Sequence, residues 1–198
     1  MIINVKHVKI GPNCKIDDQA LVGYMPQRKI EVLDLVMMDE ATVRSGSVVY
    51  LGSKIGRRLE TSHNVTIREQ NTLGDDVKIW GNSIIDYGCK IGNNVKIHTN
   101  CYIAQLTVIE DNVFIAPGVM VSNEKYPTGV FNSERIKGST IKRDAKIGIA
   151  SIIMPGVVIG ENALVGAGSL VIKNVPPNTM VYGTPARVIK NVDEAKEQ

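Results

Sequence analysis

The 198-residue sequence has few aromatic residues, few cysteines and little net charge. One Trp and two Phe are too few for a conventional globular core, and they suit a narrow coil filled by Ile, Val and small side chains. The three cysteines, Cys14, Cys89 and Cys101, fit a reducing compartment, and we expect core thiols rather than ligands or nucleophiles. A net charge of +3 is too small and too evenly spread to favour binding of nucleic acid.

Long apolar runs are also missing. The N-terminal stretch MIINVKHVKI has no apolar run of signal-peptide length, and the longest apolar patch, Val32 to Met38, is interrupted by Asp34. We therefore expect a cytoplasmic protein with no membrane partner. A chain of this length can bury a long core without dividing, and we expect one domain over residues 1–190.

An aliphatic residue returns every six positions through most of the chain. The series is Ile79, Ile85, Ile91, Ile97, Ile103, Ile109, Ile115 and Val121, and it resumes from Ile141 to Val171. A helix would repeat its apolar face near every 3.6 residues and a half-buried strand every two. This sustained hexad predicts instead one inward residue on each flat face of a solenoid.

Two further positions of the hexad carry small or turn-forming residues. Small or β-branched residues stand four positions after the aliphatic one, as in Ser83, Cys89, Val95, Cys101, Thr107 and Val113. Asn or Gly stands three positions after it, as in Asn64, Asn82, Asn94, Asn100, Asn112, Gly118, Gly156, Asn162 and Gly168. Because Asn and Gly tolerate positive φ, each hexad predicts a short strand followed by a sharp corner.

The C-terminal segments VIGENALVGAGSLVIKNVPPN and YGTPARVI resemble the closing part of hexapeptide-repeat acyltransferases, and the resemblance extends from about Val43 to Ile189. It implies an all-β fold, a left-handed parallel β-helix in which three hexads close each coil. It also implies a homotrimer with active sites in the clefts between subunits. The co-substrate would be acetyl-CoA or another acyl-CoA, with no metal.

The hexad is interrupted near the N-terminus. The segment from Gly23 to Glu40 breaks the repeat, and the register resumes from Val43. We expect an outward excursion over residues 23–42. It either caps the open end of the solenoid or contacts substrate or a neighbouring subunit.

The second interruption is an inserted loop. The repeat restarts at Ile141 rather than at residue 127, so Pro127 to Thr140 stands outside it. Loops on rigid scaffolds often carry function, and in the acyltransferases that the chain resembles a loop here encloses the active site. After the last hexad, Pro176 and Pro177 remove backbone donors and end the ladder, and residues 191–198 form a charged tail.

The resemblance also implies a donor site near the C-terminal end of the prism. Small residues there would let the thioester arm approach the backbone, and cations would neutralise the nucleotide phosphates. The implied backbone positions are Gly148, Ala150, Gly166, Ala167 and Gly168, and the implied cations are Lys173, Arg187 and Lys190.

Transfer from a thioester to a hydroxyl needs a general base, and histidine titrates nearest neutral pH. The candidates are His7, His63 and His98. His7 precedes the regular coils, so we expect it to be structural or exposed. His63 and His98 fall on the same side of the prism, on the order of 10 Å apart along the axis. His98 lies one coil below the unit with the loop, which makes it the better catalytic candidate.

The residues before the loop bear on the acceptor. Sugar and antibiotic O-acetyltransferases of this superfamily carry a His-Pro pair where the loop begins, whereas this chain has Tyr126 before Pro127. The stretch is similar to nucleotide-linked amino-sugar N-acetyltransferases, in which two Asn residues lie at the acceptor. The matching residues are Asn123 and Asn100. The segment GNSIIDYG resembles the same group, and the implied acceptor-binding residues are Ser83, Asp86, Asn123 and Tyr126.

An amine acceptor is already nucleophilic when neutral, so the site need only orient it and hold the tetrahedral oxyanion. In this hypothesis Asn100 orients the amine, and His98 or Asp86 receives the proton. Asn100 also occupies a corner slot where Asn is expected on conformational grounds alone.

The sequence therefore predicts an acyl-CoA-dependent N-acyltransferase that acts on a nucleotide-linked amino sugar destined for a surface glycan. The alternative is an O-acyltransferase that uses His98 or His63 as base on a sugar or serine hydroxyl. A zinc enzyme of the carbonic-anhydrase branch is disfavoured because those two histidines are 35 positions apart without a nearby third. A non-catalytic scaffold remains a further alternative.

Overall fold

The computed structural model describes residues 1–127, 129 and 132–192. Short strands follow one another along this part of the chain, with one 3₁₀ turn at Val5–His7 and another at Ser133–Arg135. The strands are β1 (Val8–Ile10), β2 (Lys15–Ile16), β3 (Leu21–Tyr24), β4 (Leu35–Met37), β5 (Thr42–Val43), β6 (Val48–Tyr50), β7 (Lys54–Ile55), β8 (Glu60–Thr61), β9 (Thr66–Ile67), β10 (Thr72–Leu73), β11 (Lys78–Ile79), β12 (Ile84–Ile85), β13 (Lys90–Ile91), β14 (Lys96–Ile97), β15 (Tyr102–Ile103), β16 (Val108–Ile109), β17 (Phe114–Ile115), β18 (Met120–Val121), β19 (Thr140–Ile141), β20 (Lys146–Ile147), β21 (Ile152–Ile153), β22 (Val158–Ile159), β23 (Leu164–Val165), β24 (Leu170–Val171), β25 (Thr179–Gly183) and β26 (Ala186–Asn191).

The strands form three sheets that are the three faces of one prism. The first face runs β1-β4-β7-β10-β13-β16-β19-β22, the second β2-β5-β8-β11-β14-β17-β20-β23-β25-β26, and the third β3-β6-β9-β12-β15-β18-β21-β24. From β1 to β21, each strand pairs in parallel with the strand three places later, as in Ile79 with Ile97. One coil therefore contains one strand from each face, and successive coils stack at about 4.8 Å.

The predicted hexad residues fill the interior. Ile79, Ile85, Ile97, Ile103 and Ile115 are all buried, and each stacks on its counterpart in the next coil. Almost every strand adds one inward aliphatic residue, with Thr61 in that position in β8, so the core is a continuous column that grows with the number of coils.

The small-residue slot has its own bonding pattern, because its side chains reach the backbone of a neighbouring coil. The Ser83 hydroxyl donates to the His98 carbonyl at 2.7 Å, and the Cys89 thiol lies 3.2 Å from the Ala104 carbonyl. The Cys101 thiol makes the same contact with the Ala116 carbonyl at 3.2 Å. Burial raises the pKa of the Cys89 thiol to about 12. The two buried cysteines are therefore core thiols, as predicted.

Three corners connect the faces, and most of their tips have positive φ, as in Asn100 at 59°. The ladder corner joins the first face to the second at residues 56–58, 74–76, 92–94, 110–112, 142–144 and 160–162. The histidine corner joins the second face to the third at residues 62–64, 80–82, 98–100, 116–118, 148–150 and 166–168. The loop corner joins the third face to the first at residues 50–52, 68–70, 86–88, 104–106, 122–124, 154–156 and 172–174.

The N-terminal excursion is shorter than predicted. The sequence predicted irregular structure over residues 23–42, but β4 already belongs to the first face, where it pairs with β1 and β7. Leu35 and Met37 are buried in the column. Met37 stands six positions before Val43, in the inward slot that branched aliphatic residues fill elsewhere, and its flexible thioether side chain fills the same space.

The inserted loop leaves the prism between β18 and β19, at the loop corner. Its returning end packs back on the coils, with the Lys137 N–H donating to the Asn123 carbonyl at 2.8 Å and Ser139 buried. The second face ends in an antiparallel hairpin of β25 and β26. Most of the predicted tail, residues 193–198, lies outside the described residues. No helix within the described ranges is long and apolar enough to cross a membrane.

Candidate active site

His98 occupies the histidine corner directly after β14, and aromatic rings enclose it. The Trp80 ring, one coil below, stacks on the imidazole with centroids 4.4 Å apart and planes 10° apart. Phe114, in β17 one coil above, makes an edge contact with centroids 5.2 Å apart. The ring is partly exposed, and no described residue forms a hydrogen bond with either ring nitrogen. Both nitrogens are therefore available to a ligand or to another chain.

Above His98, the same register position carries no side chain longer than a methyl group. The strand pairing aligns Ala116, Gly148 and Gly166 in consecutive coils, and we call these three residues the small-residue lane. A Cβ at Gly148 would lie 2.6 Å from the Ala167 nitrogen, so packing between coils already requires glycine there. At Gly166 a Cβ would meet the Tyr182 ring at 2.7 Å, which places Tyr182 at the far end of the lane.

Most of the predicted donor residues lie beside this lane. Ala150 and Gly168 form consecutive tips of the histidine corner, and the position of a Cβ at Gly168 is open. Ala167 lies between Gly166 and this tip, at the same corner. The Thr184 hydroxyl donates to the Gly168 carbonyl at 3.3 Å, which brings the turn of the β25–β26 hairpin over the corner.

The three predicted phosphate-binding cations do not lie together. Arg187 is exposed and pairs in register with Tyr182 near the histidine corner. Lys190 lies farther along β26, opposite Met180. Lys173 follows β24 and belongs to the loop corner, across the third face. The three residues are close in the sequence, which suggested one cluster, but the third face of the prism separates Lys173 from Arg187 and Lys190.

Asn100 is a corner tip, and its side chain differs from most other tip asparagines. In the ladder corner, Asn94 donates to Asn112 at 2.9 Å, so these side chains join neighbouring coils. The residue above Asn100 is Gly118, which offers no side chain. Asn100 is exposed, and its amide makes no hydrogen bond to any described residue. Its amide is therefore available to a ligand.

His63 lies in the same corner as His98, with the Trp80 coil between them. The sequence prediction that both histidines follow strands of one face, two coils apart, is confirmed. His63 is exposed, and it lines a small polar concavity with Arg44, Glu60 and Lys78. Trp80 separates it from the small-residue lane.

Ser83 does not face solvent. It is 0% exposed, and its hydroxyl is engaged twice by backbone: it donates to the His98 carbonyl and accepts from the Cys101 N–H at 3.1 Å. Ser83 is an inward residue of the small-residue slot, which explains why a serine suits the position. Ser83 therefore has a structural role and does not make the predicted contact with substrate.

Asp86 belongs to a closed polar network at the loop corner. Its carboxylate accepts from the Tyr102 hydroxyl at 2.7 Å and lies 3.3 Å from the Arg68 guanidinium. Burial, and then the hydrogen bond to Asp86, raise the pKa of Tyr102 above its usual value. Arg68 also pairs with the fully buried Glu69 at 3.0 Å. Both carboxylate oxygens of Asp86 are therefore engaged within the chain, which gives Asp86 a structural role.

The excursion contributes to this network through Arg28. Its guanidinium lies 3.4 Å from Glu69 and 3.6 Å above the Tyr87 ring centroid, and it donates to Gln70 at 2.8 Å. These contacts fasten the excursion to the loop corner. Sequence reasoning missed the network because Arg68 and Asp86 meet from neighbouring coils, and Arg28 joins them from the excursion.

The remaining predicted acceptor residues begin the inserted loop. Asn123 and Glu124 each have a buried side-chain atom, Nδ2 and Oε1, without a hydrogen-bond partner among the described residues. Buried polar atoms are almost always paired, so these two atoms can bond to groups outside the described residues. Tyr126 is 71% exposed, with the Lys125 amine 5.2 Å from its ring centroid.

The candidate residues thus divide between two corners, and the third face lies between them. Its outward positions in register are Thr66, Ile84, Tyr102, Met120, Ile152 and Leu170. None of these six is charged, and Ile84, Met120 and Ile152 are 38–44% exposed. An uncharged face of this kind is typical of an interface between protein chains.

Comparison with known proteins was made on sequence and on structure. The family model for bacterial transferase hexapeptide (six repeats) matches residues 72–105 and 138–173. The chain is 32% identical over 193 residues to a 2,3,4,5-tetrahydropyridine-2,6-dicarboxylate N-acetyltransferase of Enterococcus faecalis, over 94% of this chain and 78% of that protein. It is 41% identical over 92 residues to the galactoside O-acetyltransferase of Escherichia coli K12, over 43% of this chain and 44% of that protein.

A solved structure of a galactoside acetyltransferase in complex with coenzyme A has a TM-score of 0.57 with this chain and 31% sequence identity, over 65% of this chain and 68% of that one. The predicted left-handed parallel β-helix is confirmed. The chain spans about half the length of several curated relatives that it matches, from 44% to 49%.

Proposed function

Because this chain belongs to the hexapeptide-repeat transferase family, we propose that it transfers an acyl group, most simply acetyl, from acyl-CoA to the amine of a nucleotide-linked amino sugar used for a surface glycan. The enzyme would work in the cytoplasm, as its free thiols and the expected donor suggest.

The observation that carries the proposal is the division of the candidate residues between two edges of one uncharged face. His98, Asn100 and the small-residue lane lie along one edge, and Asn123 and Tyr126 lie along the other. If three copies pack through their third faces, the histidine corner of one subunit meets the loop corner of the next. A homotrimer would then complete three equivalent sites, each made by two subunits.

The donor side of such a site would use the lane. A long thin thioester arm can run along a surface that lacks side chains, with its carbonyl end toward His98 and its nucleotide end toward Gly166 and Gly168. Arg187, at the hairpin beside Tyr182, would neutralise the phosphates. A coenzyme A complex of a related galactoside acetyltransferase supports this choice of donor.

The acceptor amine would react beside His98. The amine nitrogen attacks the thioester carbonyl carbon, the carbon–sulfur bond breaks, and CoA leaves as a thiolate. The proton lost from nitrogen passes by way of His98 to the thiolate sulfur, which leaves an amide and free CoA. The Asn100 amide would orient the amine, since the corner leaves that side chain without another partner.

An amine rather than a hydroxyl acceptor is supported by two observations. The relative aligned over 94% of the chain is named an N-acetyltransferase, whereas the galactoside O-acetyltransferase aligns over 43%. Tyr126 also occupies the place of the histidine in the His-Pro pair of O-acetyltransferases. The galactoside relatives nevertheless make sugar O-acetylation, with His98 as base, the second candidate function.

A panel of acceptors decides between these functions. Release of free CoA from acetyl-CoA is measured with UDP- and dTDP-linked amino sugars, with 2,3,4,5-tetrahydropyridine-2,6-dicarboxylate and with galactosides. We expect turnover with a nucleotide-linked amino sugar. Turnover with galactosides alone would establish the second candidate, and turnover with the dicarboxylate alone would replace the sugar acceptor. No turnover and no CoA binding by calorimetry would leave a scaffold.

A further inference from the structure

Trp80 is the only tryptophan of the chain, and its ring lies against His98. The rings are nearly parallel, with planes 10° apart and centroids separated by 4.4 Å. Phe114 contacts the same imidazole by an edge, with its plane at 61°. The imidazole is therefore enclosed from the coil below and from the coil above, while its nitrogens remain free of hydrogen bonds to the described residues.

The fold does not require a large side chain at position 80. The corresponding corner residue is Ser62 one coil below and Ala116 two coils above, so the register accepts small side chains. Trp80 is half-buried and takes no part in the interior column. A large ring at this point is therefore explained by what it contacts rather than by what the coil needs.

Charged groups do not account for the orientation of His98. Among the described residues on the packed strands, Lys78 in β11 pairs with Glu60 at 2.9 Å, and Lys96 lies in β14, the strand that ends just before His98. The neighbouring strand β17 contributes Phe114. His63 lies on the far side of the Trp80 ring. The contacts made by the imidazole side chain are thus aromatic.

On the basis of the proposed function, we propose that Trp80 is a positioning residue that holds the His98 ring in one orientation beside the small-residue lane. A partly exposed histidine would otherwise rotate among several rotamers, and a fixed ring keeps its nitrogen where the amine proton is released. Trp80 touches neither substrate in this account, and it acts only through His98.

A pair of substitutions separates ring stacking from simple packing. Trp80→Leu keeps a bulky apolar side chain but removes the flat ring, whereas Trp80→Phe keeps a ring. We expect Trp80→Leu to lower kcat about tenfold with little change in KM for acetyl-CoA, and Trp80→Phe to recover most of that loss. Equal kcat in the Leu and Phe variants would contradict the proposal. Tm and trimer content are measured for both, so a variant that fails to fold is recognised.

Rescue of activity by free imidazole distinguishes a positioning role of Trp80 from a merely structural one, because a structural residue would not change the imidazole concentration that is needed. In His98→Ala, added imidazole can stack on Trp80 and restore part of the activity. In the double variant His98→Ala/Trp80→Leu the stacking surface is lost, so we expect half-maximal rescue at a concentration at least about fivefold higher. The same concentration in both variants would overturn the proposal.

The stack itself is tested without catalysis. Because Trp80 is the only tryptophan, its fluorescence reports directly on His98, and we expect a changed intensity in His98→Ala. Tyr50→Leu is the matched control, since it removes another aromatic contact, the Tyr24 pair at 5.1 Å, away from the site. Unchanged fluorescence in His98→Ala would reject the stack. A changed fluorescence with unchanged kcat in His98→Ala would instead reject His98 as the base of the proposed function, and Trp80 would lose its catalytic purpose with it.

Discussion

The ladder corner and the histidine corner have the same backbone, with a tip of positive φ in each coil, but their side chains have different partners. In the ladder corner, Arg57 binds Asp75 at 2.8 Å, and the Asn93 N–H donates to Asp111 at 2.6 Å. A Cβ at Gly74 would lie 2.5 Å from the Asn93 Oδ1, so the close approach of neighbouring coils requires glycine at this position.

In the histidine corner such bonds stop at Asn82. Asn64 donates to Asn82 at 3.4 Å, and from His98 toward the C-terminus the tips are Asn100, Gly118, Ala150 and Gly168. Within the described ranges, the side chains of these tips form no hydrogen bond to the next coil. A polar corner residue is therefore structural where its side chain bonds to the neighbouring coil. It is a candidate for ligand binding where its side chain has no such bond.

The variant with the largest expected effect tests whether the histidine corner needs the loop corner of a second subunit to form the active site. Met120→Asp combined with Ile152→Asp places two carboxylates on the third face, and burying unpaired charge between subunits is costly. We expect monomers in analytical ultracentrifugation and a loss of activity of at least about 100-fold. Thr72→Asp with Thr140→Asp, on the first face, is the matched control and should keep assembly and kcat. A monomer with full kcat would show that one chain suffices.

The next effect concerns His98 itself. His98→Ala should lower kcat about 100-fold, because general base catalysis typically contributes that much or more, while Kd for CoA stays within about twofold. His7→Ala is the control, since His7 lies near the N-terminus beside Asp34 at 3.3 Å and far from the lane along the prism. Steady-state kinetics and calorimetry measure both quantities. Equal losses in the two variants would mean that the histidine corner has no special role.

Two asparagines at equivalent tips sharpen the comparison directly. Asn100→Gly keeps a residue that tolerates positive φ and removes only the amide, so we expect kcat to fall about tenfold with Tm unchanged. Asn112→Gly removes the acceptor of the Asn94 bond, so we expect Tm to fall by about 2 °C with kcat unchanged. If Asn100→Gly lowers Tm and leaves kcat unchanged, Asn100 is structural, like the asparagines of the ladder corner.

The smallest effect is the response of the ladder corner to acid. Hydrogen bonds from Arg57 and Arg58 hold the pKa of Asp75 and of Asp76 below their usual values. The unfolded chain therefore binds protons more readily, and this contribution to stability is present above about pH 4 and lost as the pH falls through the lowered pKa values. Arg57→Gln with Arg58→Gln should reduce the drop in Tm between pH 5 and pH 3 by about 2 °C. An identical drop in both proteins would show that these pairs are screened.

The hexad allowed the column of inward residues, the corners and the inserted loop to be predicted from the sequence, because each depends on residues close together in the chain. The same rule failed at Met37, where a flexible side chain fills an aliphatic slot. The hexad also places Ser83 in the small-residue slot. Because that slot faces inward, the Ser83 hydroxyl is buried and cannot contact substrate.

Contacts between coils were the part that could not be predicted in this way. Trp80 stacks on His98, and Tyr102 binds Asp86, across neighbouring coils whose residues are 16 to 18 positions apart in the sequence. The uncharged third face was likewise hidden, since its outward residues come from every third hexad and are apolar only when taken together.

The β25–β26 hairpin has a consequence for the behaviour of the protein in solution. A stack of parallel coils ends in an open strand edge that could pair with the end of another stack and extend it into a fibre. Here the final strand turns back antiparallel, and its outer edge includes the cationic Arg187 and Lys190. On the first face, Pro176 and Pro177 follow the isolated Val175 bridge without offering an N–H. These two features disfavour end-to-end pairing of the first and second faces, so the proposed trimer would form side by side, through the third face, rather than by extension of the coil.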